Sequence, residues 1–413
     1  MKKQYNFLVL MVGQSLADLG DVLYIVGLIS ALYALTASAT LSAFVPFTIT
    51  LAMFISSLLT PLLIGNVHLK ALLVWSQIGK TVLLVALGIF IESSLTTSNV
   101  YVIFILIGGI ALLDGCAKPI RQTLIPYYVK EDQLVKANGL AETIAQTIQI
   151  GAWFFGSLLL LVLNEHQLIW LVALLFALAS VLLMRLQHVA HHREHKEKKW
   201  SLLTQGWKTV HRTPVLKTIM HMEFFETMAS AVWIAAILYI FVEEALQVEK
   251  QWWGFLNGSF FVGLVIGSIV CIQVAHYIDQ KRTFFICMGA SLSCLATLLF
   301  SMTSFPIFAL ILSFLIGFFG QLKNIPQQTV IQTSVPKEQL ATVYTSIGTI
   351  STGVFGVSSL LIGLLADILG VRSVFALSGV LLAVASVIAM THKTRFTKTT
   401  SHQPQKNSFT DSL

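Results

Sequence analysis

The sequence predicts an all-α polytopic membrane protein with twelve transmembrane helices in two pseudo-symmetric six-helix bundles. Three observations carry this. Of 413 residues, 56% are hydrophobic and only 11% charged, with a mean hydropathy of +0.80; a soluble domain carries about a quarter charged residues. Apolar runs long enough to cross roughly 30 Å of hydrocarbon, at 1.5 Å per residue, recur about twelve times. One long polar interruption, "QHVAHHREHKEKKWSLLTQGWKTVHRTP", separates six runs from six.

The expected spans are 6–35, 41–64, 70–91, 99–117, 138–163, 167–186, 215–242, 252–277, 283–303, 305–325, 341–366 and 372–391. They divide the chain into an N-terminal bundle (1–186), a basic, His-rich cytoplasmic linker (187–213), a C-terminal bundle (214–391) and a disordered cytoplasmic tail (392–413). The opening "MKKQYNFLVLMVGQSLA" has the outline of a signal peptide, but the apolar run resumes after Asp21 and continues to Leu35, which favours a first spanning helix.

That first span contains "ADLGD". Asp18 and Asp21 interrupt a nearly charge-free run, where a centred carboxylate costs roughly 2.5 to 3.5 kcal/mol on insertion scales. Residues three apart share a helix face, so the two carboxylates point in one direction. At 1.5 Å per residue they lie about 18 and 22 Å along the helix, near the midplane. Such a buried pair is suited to holding one shared proton; the competing reading is a neutral or ion-paired structural role.

In the third span, "LLVWSQIGKTVLLVALGIF", Lys80 is the only basic residue expected at mid-span depth. A lone ammonium in hydrocarbon requires a carboxylate or loses its proton, so one of the acidic pairs is its expected partner. The fourth span ends in "LLDGCAKPIRQTLIP", where Asp114 precedes Lys118 by four residues, Pro119 is expected to limit the helix and Arg121 to begin the loop. Asp114, Lys118 and Arg121 read as one side of a cytoplasmic gate or as an ordinary interfacial charge cluster.

After the fourth span comes "RQTLIPYYVKEDQLVKANGL" and after the tenth "PQQTVIQTSVPKEQLATVYT". Gln122, Thr123, Ile125, Val129, Gln133 and Leu134 recur, 206 residues later and without a gap, as Gln328, Thr329, Ile331, Val335, Gln339 and Leu340. The spacing equals one half of the chain, as an internal duplication requires. The seventh span, "TIMHMEFFETMASAVWIAAILYI", repeats the acidic pair as Glu223 and Glu226, 205 residues after Asp18 and Asp21. A single-residue indel would reconcile the two registers and set both pairs at nearly the same depth.

In the linker, His188, His191, His192 and His195 are spaced for one helical face. Clustered histidines bind transition metals, but the interspersed Lys, Arg and Glu suit a solvated segment. Cys116, Cys271, Cys287 and Cys294 fall in or beside spans without a CxxC pair, so no disulfide framework or zinc site is indicated. With a cytoplasmic N-terminus, 23 of the 26 Lys and Arg fall on the inner side, Lys250 and Arg372 outside and Lys80 within a span. This asymmetry sets both termini in the cytoplasm of a multi-pass cell-membrane protein. It also explains the formal charge of +7 without nucleic acid.

Twelve spans in two halves, a long basic linker and repeated cytoplasmic loops resemble the major facilitator superfamily over nearly the whole chain. Within it, "SLADLGDVLYIVGLISALYALTAS", "WSQIGK" and "CAKPIRQTLIPYYVKEDQLVKANGL" look most like the macrolide-efflux and enterobactin-exporter branch. There the first span carries a Gly-Asp, matched by Gly20 and Asp21, and the third a basic residue, matched by Lys80. The superfamily's Gly-x-x-x-Asp-Arg loop is reduced to Gly65 in "PLLIGNVHLKALL", while its counterpart "AHYIDQKRTFF" keeps Asp279, Lys281 and Arg282 as the other side of the gate. The Gly-Pro pair of many drug antiporters is absent from "QIGAWFFGSLL".

The resemblance implies secondary active transport by alternating access: proton-coupled efflux of amphipathic small molecules, drug-like or siderophore-like. Asp18, Asp21, Glu223 and Glu226 would bind the coupling proton or a cationic substrate, with Lys80 as charge partner. The expected partners are a small-molecule substrate and the bilayer, the expected state is a monomer, and no cofactor beyond the coupling ion is implied. The rivals are an uptake symporter of the same fold and a transport-inactive receptor or scaffold. No nucleophile–base or metal constellation points to an enzyme.

Overall fold

The computed structural model describes residues 2–36, 39–64, 67–93, 96, 99–189, 199–233 and 235–397. The N-terminal half comprises α1 (Lys2–Thr36), α2 (Ala39–Ile64), α3 (Leu69–Ser93), α4 (Tyr101–Tyr128), α5 (Leu134–Leu159) and α6 (Glu165–Met184). Helix α7 (Lys199–Arg212) lies in the linker. The C-terminal half comprises α8 (Pro214–Ser230), α9 (Ala235–Ile240), α10 (Trp252–Gln273), α11 (Ala275–Gln280), α12 (Arg282–Met302), α13 (Pro306–Ser334), α14 (Lys337–Leu369) and α15 (Val371–Thr391). The end of the bundle carrying the start of α1 and the end of α15 is the linker side.

Ten of these helices are long and apolar enough to cross a membrane. An eleventh crossing is broken: Pro214–Trp233 meets Ile237–Ala245 at a 56° bend, so the seventh expected span is not the single helix its apolar run suggests. Trp233, at the bend, packs against Phe260, Phe300 and Phe375 with ring centroids 5.2–5.6 Å apart. Helix α5, 26 residues long, completes twelve; its first half is polar because it faces the other half of the molecule.

Helix α4 runs through Pro119 and Pro126 to Tyr128, eleven residues past the expected end at 117. Proline is tolerated inside a membrane helix where side chains and neighbouring helices satisfy the freed backbone. A helical proline frees the carbonyl four residues earlier; the one freed by Pro126, that of Gln122, accepts from Gln332 Nε2 of α13 at 3.4 Å, and Pro119 and Ile120 are buried by neighbours. Asp114 is thereby mid-helix rather than at the surface.

Packing is tightest where α10 crosses α13. A β-carbon added to Gly263 would lie 2.1 Å from the Phe314 carbonyl oxygen, and one added to Gly317 would lie 2.2 Å from that of Phe260. Only glycine permits this approach, and close backbone contact is what holds helices together when lipid removes the hydrophobic incentive. Nor does all of the expected tail hang free: Phe396 is wholly buried and Arg395 donates to the Thr218 hydroxyl at 2.9 Å.

Candidate charged sites inside the bundle

In the N-terminal half, α1, α3 and α4 bring Asp21, Lys80 and Asp114 together. Lys80 Nζ donates to Asp21 Oδ2 and Asp114 Oδ1, both at 2.7 Å, and lies 4.9 Å from the centre of the Phe176 ring of α6. An ammonium has three donors; two carboxylates and an aromatic face surround this one. Phe176 itself lies against Gly20, where a β-carbon would come within 2.5 Å of the ring. The Lys80 side chain is 1% exposed, whereas those of Asp21 and Asp114 are 22% and 20% exposed. The acids touch solvent-accessible space and the base does not.

One turn towards the linker side, Asp18 Oδ2 accepts from Arg121 Nη1 at 2.7 Å and its Oδ1 from Gln14 Nε2 at 2.9 Å. Arg121 is thus inside α4 and inside the charged cluster, not at the start of a loop. The pairing of Asp114 with Lys118 is not formed: Lys118 is exposed, and Asp114 serves Lys80 instead. Glu142 of α5 lines the same cavity as Asp18 and Arg121, so among the described residues four carboxylates gather around Lys80 and Arg121.

The C-terminal half is built differently. Glu226 of α8 is ion-paired with Lys323 of α13, and Glu223 accepts a 2.9 Å bond from the Ser351 hydroxyl of α14. Lys80 is therefore not the only base within the bundle. The tenth span was expected to end at 325, which set Lys323 at the inner surface. Since α13 continues to Ser334, Lys323 lies eleven residues, roughly 16 Å, from its end. The loop repeat carried the signal: 206 residues before Lys323 stands Ala117, inside α4.

The duplication is visible in contacts. Buried positions of α6 (Leu168, Ile169, Val172, Ala173, Ala179, Ser180, Leu183) recur 206 residues later in α15 as Val374, Phe375, Ser378, Gly379, Ala385, Ser386 and Ala389. Thr81 meets Ser180 through hydroxyls 3.2 Å apart, and Ser291 meets Ser386 at 2.9 Å. These contacts also correct the register of the acidic pairs. Val172 packs on Gly20, whereas its counterpart Ser378 donates to the Ala229 carbonyl. Gly20 then corresponds to Ala229, and Glu226 to Ala17, so the glutamates sit one helical turn closer to the linker side than the aspartates. Equal spacing within each pair made the one-turn error invisible in sequence, because positions four apart share a face.

On the linker side the halves are joined by amides. Asn138 Nδ2 donates to Gln332 Oε1 at 2.8 Å and Thr329 Oγ1 at 3.0 Å, while Gln332 Nε2 donates to Asn138 Oδ1 at 3.1 Å and the Gln122 carbonyl at 3.4 Å. Lys337 donates to the Pro126 carbonyl and lies over the Tyr127 ring. None of these was singled out as a gate residue in the sequence, since neutral amides leave no charge pattern. Of the residues that were, Asp279 and Arg282 form a buried pair within the C-terminal half, with Arg282 Nη1 donating to Thr333 at 3.0 Å. Lys281 donates to the Tyr277 hydroxyl at 2.9 Å. His188 lies 6.1 Å, ring to ring, from His68; His191, His192 and His195 fall outside the described residues.

Residues 10–357 match the family model of the Major Facilitator Superfamily, as do residues 224–409. The chain belongs to that superfamily. Two uncharacterized MFS-type transporters of Bacillus subtilis (strain 168) are similar over nearly their whole length: YfmI, 29% identical over 91% of this chain and 93% of its own, and YjbB, 24% identical over 93% and 95%. Among solved structures, the E. coli fucose:proton symporter FucP superposes with a TM-score of 0.77 at 14% identity, covering 97% of this chain and 100% of that one. An outward-facing bacterial homologue of the iron transporter ferroportin gives 0.73 at 15% identity, covering 94% and 98%. At such identities the structural likeness speaks for the fold. As a Major Facilitator Superfamily member the chain is a multi-pass membrane transporter for a small molecule.

Proposed function

We propose that the protein is a proton-coupled exporter of amphipathic small molecules, oriented with both termini in the cytoplasm. The observation that carries the coupling is the placement of one buried ammonium, Lys80, between Asp21 and Asp114. One positive charge against two negatives leaves a unit negative charge in a place where unpaired charge is costly, and a single proton removes it. When Asp21 takes that proton it leaves Lys80 paired with Asp114 alone, so α1 loses its charged tie to α3 while Asp18 still holds Arg121 of α4. When the proton departs, the bridge re-forms. A proton with different affinity for the bridged and released arrangements shifts the balance between them.

The export direction is supported by the likeness of the "ADLGD" and "WSQIGK" stretches to the macrolide-efflux and enterobactin-exporter branch. The orientation is supported by the excess of Lys and Arg on the linker side. Closure on that side by Asn138, Gln332 and Lys337 supports alternating access, with the halves rocking about a cavity between them.

The test is export of ethidium, a fluorescent amphipathic cation, into inverted membrane vesicles energised by an imposed pH gradient. Asp21→Asn is expected to reach the membrane in normal amount and to lose gradient-driven transport. Full transport by that variant would remove Asp21 from the mechanism, and ethidium movement in the opposite direction would favour the uptake reading.

A further inference from the structure

The two halves differ at one pseudo-equivalent place. In the N-terminal half it is filled by Lys80, Asp114 and Phe176, with Lys80 in contact with both of the others. The register of the Thr81–Ser180 and Ser291–Ser386 hydroxyl pairs makes Ala290 the counterpart of Lys80. The 206-residue repeat makes Gly320 the counterpart of Asp114 and Leu382 that of Phe176. All three replacements are smaller, and all three line a cavity of about 280 Å³ between α8, α10, α12, α13 and α15.

The cavity has chemistry as well as space. Its walls include the carboxylates of Glu223 and Glu226, the ammonium of Lys323, the hydroxyl of Ser293 and the indole of Trp233. Trp233 lies nearly parallel to Phe260, with centroids 5.6 Å apart and planes at 16°, and both rings line the cavity, so part of its wall is aromatic. Lys323 is committed to Glu226, and Glu223 accepts from the Ser351 hydroxyl, so among the described residues lining the cavity two carboxylates face one ammonium. A bound monovalent cation completes the charge balance, and an aromatic face beside it favours a cation further. The volume is just under the roughly 300 to 1,000 Å³ of drug-sized pockets, which suits a one-ring molecule.

We infer that this hollow in the C-terminal bundle is a binding site for a small aromatic amine in its protonated form, with Glu223 facing the ammonium and Trp233 the ring. The halves then divide the work: the filled N-terminal site handles the proton and the hollow C-terminal site handles the organic cation. The inference rests on the transporter reading for its role, but binding itself requires neither a gradient nor turnover.

The experiment is therefore isothermal titration of the purified full-length protein in detergent, without any gradient, using phenethylamine, uncharged 2-phenylethanol and anionic phenylacetate. Phenethylamine is expected to bind at least tenfold more tightly than either analogue. Glu223→Gln should abolish the preference of amine over alcohol, and Leu382→Phe, which restores the bulk of Phe176, should weaken amine binding at least tenfold at an unchanged melting temperature. Ala290→Leu fills the same space from the opposite wall and stands in if Leu382→Phe does not fold. Equal binding of amine and alcohol by the unmodified protein, or unchanged affinity in both filled variants, overturns the assignment. Loss of proton-driven ethidium export with amine binding intact would bear on the coupling scheme alone. Absent amine binding with Asp21-dependent export intact would remove the site and leave the coupling.

Discussion

Replacing Lys80 by methionine keeps much of the side chain's volume and removes its charge. Asp21 and Asp114, each 2.7 Å from Nζ, are left no more than about 5.4 Å apart through their bonded oxygens with nothing between them. At an effective dielectric of about 20, two unit charges at that distance repel by roughly 3 kcal/mol. Breaking a buried ion pair by removing one partner costs about 3 to 5 kcal/mol. Lys80→Met should therefore destabilise the protein by several kcal/mol, and adding Asp114→Asn should recover about 3 kcal/mol of that, because it removes the repulsion. Equilibrium unfolding in mixed micelles of the unmodified protein, both single variants and the double variant closes the cycle. Additivity within about 0.5 kcal/mol, the level expected of independent sites, would refute the shared ammonium.

Two further outcomes concern the rest of the bundle. Asn138→Ala deletes three side-chain hydrogen bonds across the halves, worth about 0.5 to 1.5 kcal/mol net each, and should open the linker side at least about tenfold more often. Alkylation of a cysteine placed by Gln328→Cys reads this as a proportionate gain in rate. Gly317→Val sets a β-carbon 2.2 Å from the Phe260 carbonyl oxygen and should cost roughly 1 to 3 kcal/mol or more, seen as a fall in folded yield and melting temperature.

Much of the architecture was written in hydropathy because hydrocarbon demands long, self-bonded helices. What hydropathy misplaced were ends and interruptions. A proline would end a helix in water, but α4 is packed among other helices, and Gln332 of α13 donates to the Gln122 carbonyl that Pro126 frees. The same error of length hid Lys323, which α13 carries well inside the bundle. Acidic residues were conspicuous because charge in a span is rare, yet their partners depended on which helices touch. Asp114 chose Lys80, 34 residues away in sequence, over Lys118 one turn along. Asn138 and Gln332 carry no charge and belong to different halves, so only the assembled interface gives them meaning.

Helix α7 constrains any rocking motion in a way that a slack connector would not. It packs on α2 of the first half and α14 of the second, and its hold on the second is the firmer. Val210 is fully buried with Leu340 and Val343, and Gly206 sits directly on the Thr342 carbonyl. If the halves rock as proposed, α7 rides with the C-terminal half and slides across α2. The segment joining the bundles then serves as a bearing, with its fixed race on one half and its running surface on the other.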